Sequence, residues 1–231
     1  LKTLDVSREE LDSLLGEENN LTVLFAKQKE LLAEATKKAK KLSEYRRKAA
    51  ERFVAEVTGE LEFLNMPKVK LVVDQKNGKL TVNGMDTIEF LISANVGEEP
   101  KPIAKIASGG ELSRIMLALK NVIADKDSIE TLIFDEIDTG VSGRAAQKIG
   151  LKLNQISKIR QVLCVTHLSQ IAVMADNHLL IEKGVCGERT VTTVKRLDFE
   201  QRKYEIARIL GGDNITSLTL ENACLLYTSP S

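Results

Sequence analysis

Two adjacent carboxylates, Asp135 and Glu136, close a short apolar run, Thr131-Leu132-Ile133-Phe134. Such a run ending abruptly in acids reads as a buried strand whose carboxyl end opens on a ligand crevice. Successive strand residues point in different directions, so the two acids are free to take different tasks. Asp135 is a candidate ligand for Mg2+, directly or through water. Glu136 is a candidate general base that orients and deprotonates a water. A solvated turn at a strand end is the plainer description of the same pair.

A second apolar run, Gln161-Val-Leu-Cys-Val-Thr166, also ends in polar groups, with His167 at its tip. His167 is placed to hydrogen-bond a terminal phosphate or an attacking water, or simply to cap the helix that follows. Upstream, Ser108-Gly109-Gly110-Glu111 opens a helix with the S-x-x-E spacing of a capping box. A helix start carries unpaired N–H groups and partial positive charge, and two glycines let a phosphate approach without a Cβ in the way. An ordinary capped helix has the same spelling. Between the two strands, Ile137-Asp138-Thr139-Gly140-Val141-Ser142-Gly143 is a shaped loop. It offers Asp138 and Ser142 at the same sheet edge, or uses them to cap the next helix. Asp135 follows Ser108 by 27 residues and His167 follows Asp135 by 32, so each gap holds one crossover helix and a loop.

The elements that must position these groups follow from periodicity. From Ser108 onward the order predicts an α/β fold with a largely parallel sheet: helix Gly110–Asp125, strand Thr131–Phe134, helix Gly143–Ser157, strand Gln161–Thr166, short helix Leu168–Ala175, strands His178–Glu182 and Thr190–Arg196, helix Glu200–Leu210. Leu112, Ile115, Met116 and Leu119 make the apolar stripe of the first helix. Before it, Val69, Leu71 and Val73 alternate. Lys76-Asn77-Gly78 reads as a turn, Leu80 and Val82 resume the alternation, and Ile88–Ile92 is a further strand of a β-meander. Gly97 to Pro102 reads as a loop.

A long helix is predicted from about Thr22 to Leu64. Leu21, Leu24, Leu31, Ala35, Leu42, Tyr45 and Ala49 fall on heptad positions, and Phe53, Val57, Leu61 and Leu64 continue them after a stutter. Its narrow stripe fits one strand of an antiparallel coiled coil; a helix laid along a globular core is the alternative. Residues 26–52 carry ten bases against four acids, a solvated face or a surface for phosphate backbones. Thr216–Ala223 starts an amphipathic helix, and residues 224–231 read as a tail of non-native origin.

Composition narrows the classes. The 231 residues carry 33 basic and 33 acidic side chains, so no overall charge draws the chain to nucleic acid or membrane. No run of apolar residues is long enough to span a bilayer, and no secretory signal is visible in a chain that opens on Leu1. Three cysteines, Cys164, Cys186 and Cys224, make no disulfide framework and fit a reducing cytoplasmic setting. Cys164, His167, His178 and Cys186 lack the paired spacing of a zinc site.

Taken together, the motif order resembles the second half of an ABC-type ATPase head. Ser108-Gly-Gly-Glu111 is similar to the signature, Leu132 to Glu136 to a Walker B strand with its catalytic glutamate, Ile137 to Ser142 to the D-loop, and His167 to the switch histidine. An entering coiled coil and the SGGE form point to the SMC-like branch. Ala107 to Lys120, Phe134 to Gly143, and Val165 to Gln170 are closest in wording to the bacterial DNA-repair RecN family. No G-x-x-x-x-G-K-[ST] occurs in the 231 residues.

The resemblance therefore implies the C-terminal lobe of an ABC/SMC-type head: residues 1–66 a coiled-coil segment, 67–223 the lobe, 224–231 the tail. It implies ATP and Mg2+ held jointly with an N-terminal lobe of the same protein. Asp135 is then the metal ligand and Glu136 and His167 the catalytic pair, with Ser108, Gly109, Gly110, Glu111 and Asp138 as nucleotide contacts. A second head would complete a homodimeric sandwich, DNA would be a partner of the whole protein, and no membrane is involved. The fragment alone would be inactive, and the setting cytoplasmic and nucleoid-associated. Half of another SMC-like ATPase and a non-catalytic coiled-coil scaffold are the competing readings.

Overall fold

The computed structural model describes residues 2–95, 97–105, 109–186, 189–212 and 214–228. The chain begins with one long helix, α1 (Lys2–Phe63). It starts twenty residues earlier than the heptads predict, running through Gly16 and Asn19-Asn20 without a break. Its end is sharply defined. Asn65 sits in the left-handed region at φ 60°. The Met66 N–H donates to the Leu61 carbonyl at 2.8 Å and the Asn65 N–H to the Glu62 carbonyl at 3.1 Å. These are the paired bonds of a Schellman cap, and Pro67 follows to bar any restart.

Three strands come next: β1 (Lys70–Thr81), β2 (Gly84–Ser93) and β3 (Lys101–Pro102), in sheet order β1-β2-β3. β3 lies in the segment expected to be loop, and pairs antiparallel with β2 through Leu91–Pro102 and Ile92–Lys101. The turn expected at Lys76-Asn77-Gly78 is absent; β1 runs straight through it. The chain reverses instead at a second Asn-Gly pair, Asn83-Gly84. Gly84 has φ 99°, Thr81 Oγ1 donates to the Gly84 carbonyl at 2.9 Å, and the Asn83 N–H donates to Thr81 Oγ1 at 3.2 Å. Both dipeptides spell a hairpin turn; the second has this side-chain bridge as well.

The chain forms two compact units, 1–52 with 73–89, and 53–72 with 90–231. In the first, the hairpin tip lies on α1. A Cβ at Gly84 would touch Leu42 at 3.0 Å and Arg46 at 3.1 Å. Asp86 clasps the helix: Ser43 Oγ donates to it at 2.6 Å, Arg46 Nη1 at 2.9 Å and Gln75 Nε2 at 3.0 Å. The Ser43 hydroxyl, then Gln75 and Arg46, hold the Asp86 carboxyl below the usual carboxylate range. A depressed carboxyl stabilises above its unfolded value and loses that contribution as pH falls through its folded value. The clasp is therefore expected to weaken only below about pH 4. Melting curves of the wild type and Asp86→Asn should converge in acid and separate near neutrality. Curves separated equally at all pH values would remove the clasp as an ionic one.

In the second unit, α2 (Gly109–Ile123) leads into β4 (Thr131–Phe134), α3 (Gly143–Ser157), β5 (Gln161–Cys164) and α4 (Ser169–Ala172). β4 and β5 are parallel, in register from Thr131–Gln161 to Phe134–Cys164. β6 (Leu179–Cys186) and β7 (Arg189–Arg196) form an antiparallel hairpin. Among the described residues the parallel sheet is the β4–β5 pair, and β6–β7 is a separate two-stranded sheet that does not extend it.

The core gathers Val57 and Leu61 from α1 and Leu64 just after it, Ile115 and Leu117 from α2, Leu132 and Phe134 from β4, and Ile149 and Ile156 from α3. α2 is buried beyond its predicted stripe: Gly110, Arg114, Leu117 and Ala118 are covered as well. α5 (Phe199–Gly211) and α6 (Ser217–Thr228) close the chain around a small cluster of Ala172, Ile206, Ala207 and Ala223. α6 runs five residues into the expected tail, and Leu226 and Tyr227 pack on that cluster. No helix among the described residues is long and apolar enough to cross a membrane.

Candidate functional site

Parallel pairing of β4 and β5 carries the polar tips of both strands to one edge of the sheet. The Val165 N–H still donates to the Phe134 carbonyl at 2.9 Å, so the two tips diverge only beyond that bond. Asp135 and Glu136 follow β4 immediately and both are exposed; Thr166 and His167 follow β5. Asp135 Oδ1 accepts the Glu136 N–H at 2.8 Å.

Glu136 adopts φ 55°, a left-handed conformation that costs a side-chain-bearing residue about 1–3 kcal/mol. The neighbouring helix over-determines that turn. α2 runs back along β4, so its first turn meets the residues that leave the strand. Ser113 Oγ donates to the Asp135 carbonyl at 2.8 Å. Arg114 Nη1 donates to the carbonyls of Ile137 at 3.2 Å and Thr139 at 2.9 Å. A Cβ at Gly109 would collide with Glu136 Oε2, and one at Gly110 would lie 3.0 Å from the Glu136 carbonyl and 3.1 Å from that of Thr139. Gly110 is needed for close packing of helix on loop, whereas at Gly109 the neighbour is the end of the Glu136 side chain, which can move aside. Ser108, the first residue of the sequence motif, lies outside the described residues, and with it the proposed capping box to Glu111.

From the other side the loop is tied to β5. Asp138 is 3% exposed. Its Oδ2 accepts Thr166 Oγ1 at 2.6 Å and the His167 N–H at 2.9 Å, and lies 3.1 Å from His167 Nδ1. Thr166 Oγ1 in turn accepts the Leu168 N–H at 3.1 Å. Asp138 is thus turned inward, toward the tip of β5. The His167 side chain is 74% exposed, so the ring stands at the rim with its buried edge on Asp138. Ser142 precedes α3 without a side-chain capping bond, while Gly140 and Gly143 take φ 73° and 52° and shape the loop.

The structure therefore brings Asp135, Glu136, Asp138, His167, Gly109 and Gly110 to one edge. The sequence reading missed Ser113 and Arg114. Arg114 lies off the apolar stripe read from the sequence, on the row Gly110-Arg114-Ala118 that only the structure shows to be buried. Cys164, one residue behind the tip, is inert by comparison. Burial, helped by Asp138 and Asp135, pushes its thiol up to about 12. Among the described residues no cluster of three or more metal-ligating side chains occurs. Asp135 alone, with Oδ2 uncommitted to the Glu136 N–H, suits Mg2+, which is commonly held by one or two carboxylates and a substrate's phosphates.

No protein-family model matches the chain. Among characterised proteins it is 41% identical over 220 residues to DNA repair protein RecN of Halalkalibacterium halodurans, covering 93% of this chain and 39% of that protein. It is 40% identical over 232 residues to DNA repair protein RecN of Rickettsia bellii, covering all of this chain and 42% of that one. The chain thus spans about two fifths of the length of these relatives. Partial structural likeness extends to an Smc head domain with coiled coil from Pyrococcus yayanosii, at 18% identity and TM-score 0.49 over 68% of this chain and 28% of that one.

Proposed function

We propose that this chain, which matches RecN proteins along nearly its whole length and corresponds to their C-terminal segment, supplies one half of an SMC-like ATPase head in a DNA double-strand-break repair protein. The observation that carries the reading is the shared edge. Two carboxylates, a histidine and a glycine-opened helix converge on it from α2, β4 and β5. That is the equipment for activating a water beside a triphosphate and stabilising the charge that develops on it.

Each group then has one task. Glu136 takes the proton of the attacking water. His167, its Nδ1 edge against Asp138, offers its other nitrogen to the terminal phosphate. Asp135 would hold Mg2+, which would neutralise charge on the phosphate oxygens. The first turn of α2 presents unpaired N–H groups to the γ-phosphate of a nucleotide held by a second head, and loses that contact after cleavage. The phosphate-binding loop comes from an N-terminal lobe, so two heads enclose two nucleotides and hydrolysis releases them.

This division of labour makes the 231-residue chain a half-site. Full-length protein is expected to hydrolyse ATP with Mg2+, and the chain alone to show no turnover above background. A chain that turned over ATP as fast as the full protein would mean that the site is complete without a second lobe. A full protein without turnover would remove the ATPase reading.

A further inference from the structure

Arg114 is a buried charge that the reaction as described does not use. The residue is 7% exposed, yet none of the ion pairs among the described residues includes it. Burial pulls the guanidinium below its ordinary value, and Glu111, one turn back, only partly offsets this. A buried cation of this kind is costly and persists where its hydrogen bonds fix something. Here they fix a backbone. One nitrogen, Nη1, donates to the carbonyls of Ile137 and Thr139, two residues apart in the loop that leaves Glu136. The residue between those two carbonyls is Asp138, whose carboxylate holds Thr166 and His167. The residue before Ile137 is Glu136, at φ 55°. Arg114 itself projects from the second turn of the helix whose first turn, at Gly110, rests on the same loop.

We propose that Arg114 is a positioning residue of the hydrolytic site: its guanidinium locks the Glu136–Thr139 backbone to α2, so that Glu136 and His167 face one triphosphate and respond together when the start of α2 is engaged. The proposal rests on the ATPase reading above. It also gives the loop's geometry a cause. Without the donor, two carbonyls would lose their partner, and the left-handed turn at Glu136 would keep Ser113, the Asp135 bond to its N–H, the Thr139 bond to its carbonyl and the contact at Gly110, but no tie from the second turn of α2. A lysine keeps the charge and most of the volume, but a single ammonium on a flexible stem does not reproduce the planar guanidinium. It therefore preserves the fold while loosening the loop.

The test uses full-length protein and the variants Arg114→Lys and Arg114→Met. Steady-state and single-turnover ATP hydrolysis, ATP affinity and thermal melting are read in parallel. Misplacement of reacting groups by about 1 Å is enough to lose on the order of a hundredfold in rate. The expected result for Arg114→Lys is a fall in kcat of roughly tenfold to a hundredfold with ATP affinity and melting temperature close to wild type. Arg114→Met should fall further. In the Glu136→Gln background Arg114→Lys should have little additional effect on the single-turnover rate, because both changes act through one group. Wild-type kcat in Arg114→Lys, a fall that only follows loss of folded protein, or effects that multiply fully in the double variant would each overturn the proposal. Absence of turnover in the wild type would instead overturn the ATPase reading and leave Arg114 no reaction to position.

Discussion

Replacing Glu136 by Gln in the full-length protein is expected to lower ATP turnover by roughly two to four orders of magnitude while ATP binding is kept, the range typical for loss of a positioned general base. The exchange is close to isosteric. It leaves Asp135, the clamp from Arg114 and the Asp138 contacts to β5 in place. The Gln side chain retains hydrogen-bonding capacity near the start of α2 but cannot take a proton from water at neutral pH. ATP should therefore be trapped, and the two-head state that encloses it should persist. Nucleotide binding, steady-state hydrolysis and sedimentation in the presence of ATP measure the three consequences. A variant that hydrolyses ATP at the wild-type rate would exclude Glu136 as the base.

The second large effect is expected at Gly110. An added methyl meets Thr139 Cβ at 2.9 Å and two backbone carbonyls at 3.0 and 3.1 Å, and backbone yields less readily than the end of a flexible side chain. Gly110→Ala should destabilise by about 1–3 kcal/mol as an overpacked site. It should also displace the loop between Glu136 and His167, with a loss of turnover on the order of a hundredfold. Gly150 supplies the contrast. A Cβ there meets Met174 Sδ at 2.8 Å and the Gln170 carbonyl at 3.2 Å, away from the acidic loop. Gly150→Ala should cost stability of similar size and spare the turnover of the protein that remains folded. Hydrolysis normalised to folded protein separates the two. Equal losses of turnover at both positions would mean that Gly110 matters for packing alone.

Much of this site could be read from residue types. The bounds of β4 and α3 follow directly from pattern, because a short strand and an amphipathic helix leave few alternatives at those lengths; the expected full burial of β4 does not hold, since only Leu132 and Phe134 are covered while Thr131 and Ile133 are exposed. The convergence of Asp135, Glu136 and His167 was legible through their common place after parallel strands. What was not legible is decided by tertiary contact. The hairpin reverses at Asn83-Gly84 rather than at the identical dipeptide six residues earlier, where Thr81 bridges the turn and Asp86 fastens the tip to α1. α6 extends through Thr228 because Leu226 and Tyr227 find a cluster to cover, which composition alone could not reveal. Asp138 carried the signature of a ligand-binding acid, yet its carboxylate holds the β5 tip. That assignment depends on partners 28 and 29 residues away. Arg114 was hidden for the same reason, since its partners are backbone carbonyls that no side-chain motif encodes.

The most direct measurement is a structure of the full-length protein with a non-hydrolysable ATP analogue and Mg2+. The account predicts one triphosphate per head, its terminal phosphate flanked by Asp135, Glu136 and His167 of one copy and by the Gly109-Gly110 helix start of a second. A triphosphate bound away from the tips of β4 and β5, or one enclosed without any contribution from a second copy, would contradict it.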